Sequence, residues 1–127
     1  MNQTLIDSIR IDVATRFLSE QSLPERSRYA FAYTITISNL GQQSAQLLDR
    51  QWLITDGNGK EEQVSGPGVI GEQPTIEPGS SHTYTSGCIL ETPIGTMQGS
   101  YGMLSNDGHK FRAPIPLFRL SKPNALN

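Results

Sequence analysis

From Ile9 to Phe17 the chain alternates, with Ile9, Ile11, Val13 and Phe17 on one side and Arg10, Asp12 and Arg16 on the other. A period of two is that of a strand with one buried and one wet face. Ser19 to Ser27, which carries Glu20, Pro24, Glu25 and Arg26 without a period, reads as an exposed connection. The strongest strand signal follows: Tyr29, Phe31, Tyr33, Ile35 and Ile37 line one face, opposite Ala30, Ala32, Thr34, Thr36 and Ser38. Aromatic and β-branched side chains suit a pleated, half-buried surface. Asn39-Leu40-Gly41 then turns the chain.

Leu47 to Thr55 puts Leu48, Trp52 and Ile54 on one side and Leu47 and Leu53 on the other, the two-sided pattern of a central strand with Trp52 as a core anchor. Asp56-Gly57-Asn58-Gly59 predicts a hairpin into a short strand from Lys60 to Val64. A stretch rich in Gly and Pro runs from Gly66 to Gly79, followed by a strand from His82 to Leu90 with Tyr84, Cys88 and Leu90 in phase. Thr92-Pro93-Ile94-Gly95 turns into a strand marked by Met97, Tyr101 and Met103, and Asn106-Asp107-Gly108 turns into the last, Phe111 to Leu120. Pro114 and Pro116 share one face of that strand and offer no backbone donor, so it reads as an edge or bulged strand. Seven to eight antiparallel strands, regular turn signals and no convincing helical period predict an all-β fold, an immunoglobulin or fibronectin type III-like sandwich. A small barrel is the alternative.

Composition narrows the chemistry. The 127 residues fit one domain, with a sandwich core from 8 to 122 and a loose tail from 123 to 127. Twelve Gly and eight Pro are too many turn formers for a helical bundle, and 35% hydrophobic residues are too many for disorder. The net charge of -2 supplies no uniform positive field for nucleic acid or an anionic membrane. With Cys88 as the single cysteine, neither an internal disulfide nor a thiolate zinc cluster can form. The first residues lack a basic and apolar leader, and no apolar run reaches the ~20 residues of a membrane span, so a soluble, cytoplasmic protein is expected.

Gly66-Pro67-Gly68-Val69-Ile70-Gly71 matches the G-x-G-x-x-G spacing that brings backbone amides onto a pyrophosphate at a helix N-terminus. Pro74 and Pro78 follow too closely for a useful helix, and Glu61 to His109 holds no Lys or Arg. The favoured reading is therefore a loop whose glycines supply positive φ or close packing, with Gly66, Gly68 and Gly71 kept as the candidate phosphate loop. His82, Cys88 and His109 lack metal-ligand spacing, and Asp56, Asn58 and Lys60 lack the later acid of a calcium loop. Ser86-Gly87-Cys88 lies on a strand with no nucleophile elbow, so Cys88 reads as a small core residue. No catalytic residue, metal or cofactor is expected.

Val64 to Pro74, Pro78-Gly79, Tyr84-Thr85-Ser86-Gly87-Cys88, Thr92 to Gly99, Ile115-Pro116-Leu117-Phe118 and the strand Tyr29 to Asn39 together resemble the ApaG family over nearly the whole chain. The resemblance implies a fibronectin type III-like sandwich, a freestanding homodimer, and an association with cobalt and magnesium tolerance. It also implies a suggested nucleotide or pyrophosphate site at Gly66 to Gly71, and, from similar domains joined to F-box and polymerase-interacting proteins, a role in protein interaction. It supplies no catalytic residue. The function expected is a non-catalytic module that presents the Gly66 to Pro78 loop to a protein partner, and the alternative is a binder of a nucleotide or a divalent cation.

Overall fold

A computed structural model describes residues 2–124; the part of the expected tail at 125–127 lies outside them. A six-residue helix α1 (Asn2–Asp7) is followed by β1 (Ile9–Phe17), β2 (Tyr29–Asn39), β3 (Ala45–Asp56), β4 (Glu61–Pro67), β5 (Thr75–Ile76), β6 (Ser81–Leu90), β7 (Ile94–Ser105) and β8 (Lys110–Ser121). The strands pair antiparallel in two sheets, β1-β2-β6 and β4-β3-β7-β8, and β5 adds to the same side of β3 as β4. The fold is therefore the all-β antiparallel sandwich that the alternation predicts. The sequence gives no sign of α1, because six residues are too few to display a helical period; Leu5 and Ile6 pack it onto the core.

Two bulges explain why apolar residues change sides within a strand. The β3 to β7 register shifts between Leu47 and Asp49, so Ala45 and Leu47 face inward before the shift and Trp52 after it. A second shift opposite Met97 to Gly99 gives β8 an inward set of Phe111, Ala113 and Ile115, then Leu120. Pro116 sits in that irregularity and β8 borders its sheet, so the last strand is both an edge and bulged. Ile35, Ile37, Leu47, Tyr101 and Leu120 are 0% exposed and form the sealed centre between the sheets. Trp52 packs edge-on against Tyr33, Tyr101 and Phe118, at 5.5, 6.3 and 5.8 Å between ring centres.

The two margins of the sandwich differ. Along one, β1 and α1 pack against β8. Along the other, β6 and β4 border their sheets with no comparable packing between them, and the three-stranded sheet leaves uncovered part of the five-stranded one, which is four positions wide because β4 and β5 share one side of β3.

Leu47→Ala should cost about 2–5 kcal/mol, because a sealed site cannot collapse fully, whereas Leu53→Ala on the outward face should cost about 1 kcal/mol or less. Urea midpoints of the two variants check this; equal losses would contradict the phase change at the bulge.

Candidate functional site

The glycine segment is built on the β3 bulge. β4 runs beside β3 as far as Pro67, after which the Gly68 amide and the Gln73 side-chain amide both donate to the Leu48 carbonyl, at 2.9 and 2.8 Å. Leu47 donates in turn to Pro74, at 2.9 Å, so the loop is fastened at both ends to the same irregular point. At its tip Val69 and Glu72 exchange backbone hydrogen bonds of 2.8 and 3.0 Å, and Ile70 and Gly71 have φ of +48° and +75°. Two positive φ values inside a two-residue connection are the pattern of a type I′ turn. No helix follows Gly71.

The three glycines have separate duties. Gly66 lies in β4 opposite Arg50, whose Nη1 a Cβ there would approach to 3.2 Å. Gly68 has φ +62°, and a Cβ would collide with the Glu72 carbonyl. Gly71 needs only its φ, with open space around it. Val69 is buried beneath the turn at 1% exposure, while Ile70 projects at 60%. A β-branched residue in the left-handed region is strained, and Asn-Gly is the relaxed pair for this turn.

Arg50, which sequence reasoning passed over, is the cation beside this loop. Its Nη1 donates to the carbonyls of Pro67 and Gly68, both at 3.0 Å. The amides of Gly68, Val69 and Glu72 are spent on backbone carbonyls, and among the described residues those of Ile70 and Gly71 have no protein acceptor. Thr55 pairs with Glu61 across a five-residue connection, and counting outward from that pair brings Arg50 opposite Gly66. The predicted hairpin, with its strand starting at Lys60, is one residue out of this register, so the sequence reading did not bring Arg50 to the loop.

Between the β4 and β6 margins a cavity of about 260 Å³ is bounded by Arg50, Tyr33, Tyr84, Ser86 and the turn. It adjoins a cleft of about 460 Å³ that reaches Trp52, Val64 and Cys88 and passes Glu62. Among the described residues the buried Trp52 indole N–H has no hydrogen-bond partner. Burial pushes the Cys88 thiol up to about 11, with the Glu62 charge adding to it. Burial likewise pushes Tyr84 up to about 12, and Tyr101, hydrogen-bonded to Tyr84 through their hydroxyls, higher still. These groups are thus held neutral, and the thiol is no poised nucleophile.

The remaining candidates are dispersed. His82 and Cys88 are six residues apart on β6, about 20 Å. His109 joins Asp107 at 2.9 Å in the β7 to β8 turn, where the Ser105 hydroxyl and then His109 hold the Asp107 carboxyl well below the usual range. Among the described residues no group of three His, Cys, Asp or Glu side chains could hold a metal ion.

The structure is thus a small antiparallel β-sandwich with a glycine turn pinned to a strand bulge and an open cleft beside it. Residues 19–105 match the ApaG domain family. Protein ApaG of Pseudomonas paraeruginosa is 58% identical over 119 residues, 94% of each chain, as is that of Azotobacter vinelandii. A crystal structure described as an ApaA protein of Bordetella pertussis superposes with a TM-score of 0.89 at 45% identity, covering 91% of this chain and 94% of its own. An X-ray structure of a structural-genomics target gives 0.91 at 52%, covering 96% and 92%. The chain belongs to the ApaG family.

Gly68→Ala should cost more than about 2 kcal/mol, Gly71→Ala about 1 kcal/mol, and Ile70→Asn should stabilise by about 0.5–1 kcal/mol. Thermal and urea unfolding of the three variants test that order. The raised Cys88 and Tyr84 values imply an alkaline limit. The fold favours the neutral forms, so their stability is complete below the unfolded values of about 8.5 and 10 and is lost as pH rises toward 11–12. Urea midpoints should hold level from neutral pH to about 8.5 and fall above it.

Proposed function

We propose that the chain is a non-catalytic interaction module that presents the Gly66 to Pro78 loop to a protein partner. The observation that carries this reading is Ile70, an apolar residue held at φ +48° and 60% exposed at the tip of a firmly fastened turn. Strain kept at an exposed position where Asn would relax it argues that the side chain is needed for contact. A non-catalytic role is supported by Cys88 in the cleft, whose thiol is pushed up by burial and so is not poised as a thiolate nucleophile. The finer parts of the reading are an immunoglobulin or fibronectin type III-like strand order, a homodimer and a cytoplasmic setting. No helix among the described residues is long and apolar enough to cross a membrane. On this reading any link to cobalt or magnesium tolerance runs through the partner.

A second reading is supported by Arg50 and by the free amides of Ile70 and Gly71, which together offer donors to a phosphate. Against it, Arg50 already serves two loop carbonyls.

Affinity capture with wild type should recover a stoichiometric protein partner that Ile70→Asn loses, although that variant is the more stable. Recovery unaffected by Ile70→Asn, or no partner at all, would refute the loop as the contact. For the second reading, calorimetry with inorganic pyrophosphate should give heat that Arg50→Gln abolishes; no heat at millimolar ligand removes it.

A further inference from the structure

A strand at the border of a sheet is a template for another chain unless charge, proline, a bulge or a covering element guards it. Three of the four borders here are guarded. β1 carries Arg10, Asp12 and Arg16 and packs on β8. β8 carries Pro114, Pro116, Lys110, Arg112 and Arg119 and is bulged. β4 has seven residues, with Glu61 and Glu62 at one end and Pro67 at the other.

β6 differs on every count. Its ten residues include no Asp, Glu, Lys, Arg or Pro, and each pairs with β2 in an unbroken register. Three hydroxyl rungs, Thr34 with Thr85, Thr36 with Thr83 and Ser38 with Ser81, hold it straight at 2.8, 3.1 and 2.9 Å. Its outward neighbour Ile89 is 53% exposed. Inward, Ser86 and Cys88 border the 460 Å³ cleft, which Trp52 also lines, and among the described residues the buried Trp52 indole N–H has no partner. A strand added to β6 would make the sandwich four strands on four and cover half-buried Val64 of β4.

We infer that the free edge of β6 receives an extended segment of a partner polypeptide by strand addition. That segment seats an apolar side chain in the cleft over Trp52, Val64 and Cys88 and sets an acidic side chain beside Arg50. Backbone bonds along β6 supply affinity and the alternate inward side chains supply choice. The acid follows from charge: Arg50 is the cation lining the cleft, and although its Nη1 serves the two loop carbonyls, among the described residues its Nη2 and Nε have no acceptor and it makes no ion pair, while Glu62 lies toward the far end. A basic side chain beside Arg50 is disfavoured by the same field. This deepens the interaction-module reading and rests on it, but it uses a surface other than Ile70.

The test is selection of short random peptides displayed on phage against the full chain, followed by mapping of soluble peptides on amide NMR spectra. Enriched peptides should alternate apolar and polar residues, carry Asp or Glu near one end, and shift the amides of Ser81 to Leu90 and the Trp52 indole. Arg50→Gln should weaken acid-bearing peptides about tenfold and Arg50→Lys much less, as expected for one charged contact. Thr85→Lys with Ile89→Lys, both outward, should abolish binding while leaving the fold intact, as judged by the same spectra. Peptides without alternation, shifts confined to the glycine turn, or no enrichment would overturn the proposal. So would concentration-dependent shifts of β6 without peptide, which would mark a second copy of this chain as the occupant. Peptide binding that survives Ile70→Asn separates this edge from the loop reading, so either can fail alone.

Discussion

Two sheets of unequal width close over one apolar interior, and the rest of the structure follows from how that mismatch is resolved. Three strands cover four, so one margin must be sealed by other means and the opposite one stays thinly covered. At the β1 and β8 margin the short helix supplies Leu5 and Ile6 as extra covering. At the β4 and β6 margin covering stops at half-buried Val64 and Cys88, beside the glycine turn that buries Val69. Burial of apolar surface drives closure, but it is indifferent to which margin is left open. Topology decides that.

The bulge at Leu48 links the fold to the candidate site. It lets Leu47 and Trp52 face the same interior despite their odd spacing, and the carbonyl it leaves free receives both the Gly68 amide and the Gln73 side chain. A local break in the ladder thus becomes the anchor of the loop. Arg50, two residues beyond Leu48, then meets the loop carbonyls. Core packing and loop placement are one arrangement, which makes the loop stiff enough to hold Ile70 in a conformation its own side chain disfavours.

Most of the fold was legible in the alternation. The faces of β2 and β6 read directly, and the two prolines of β8 announced an interrupted edge because each lacks a donor. The bulge was not legible: Leu47, Leu48, Trp52 and Ile54 looked like a two-sided central strand, since a one-residue insertion and burial on both faces leave the same trace. The glycines at 68 and 71 were readable as positive φ positions. Arg50 was missed because proximity across a hairpin is a matter of register, and composition within the loop carries no trace of it. ApaG membership was legible from chained motifs spread over the chain.

The paired hydroxyls on the outer face of β2 and β6 carry a mechanical consequence. They lie across the strands, as the backbone ladder does, so a pull along β6 loads every rung together in shear rather than opening them one after another. Whatever grips this border can tug lengthwise on the domain without peeling it apart.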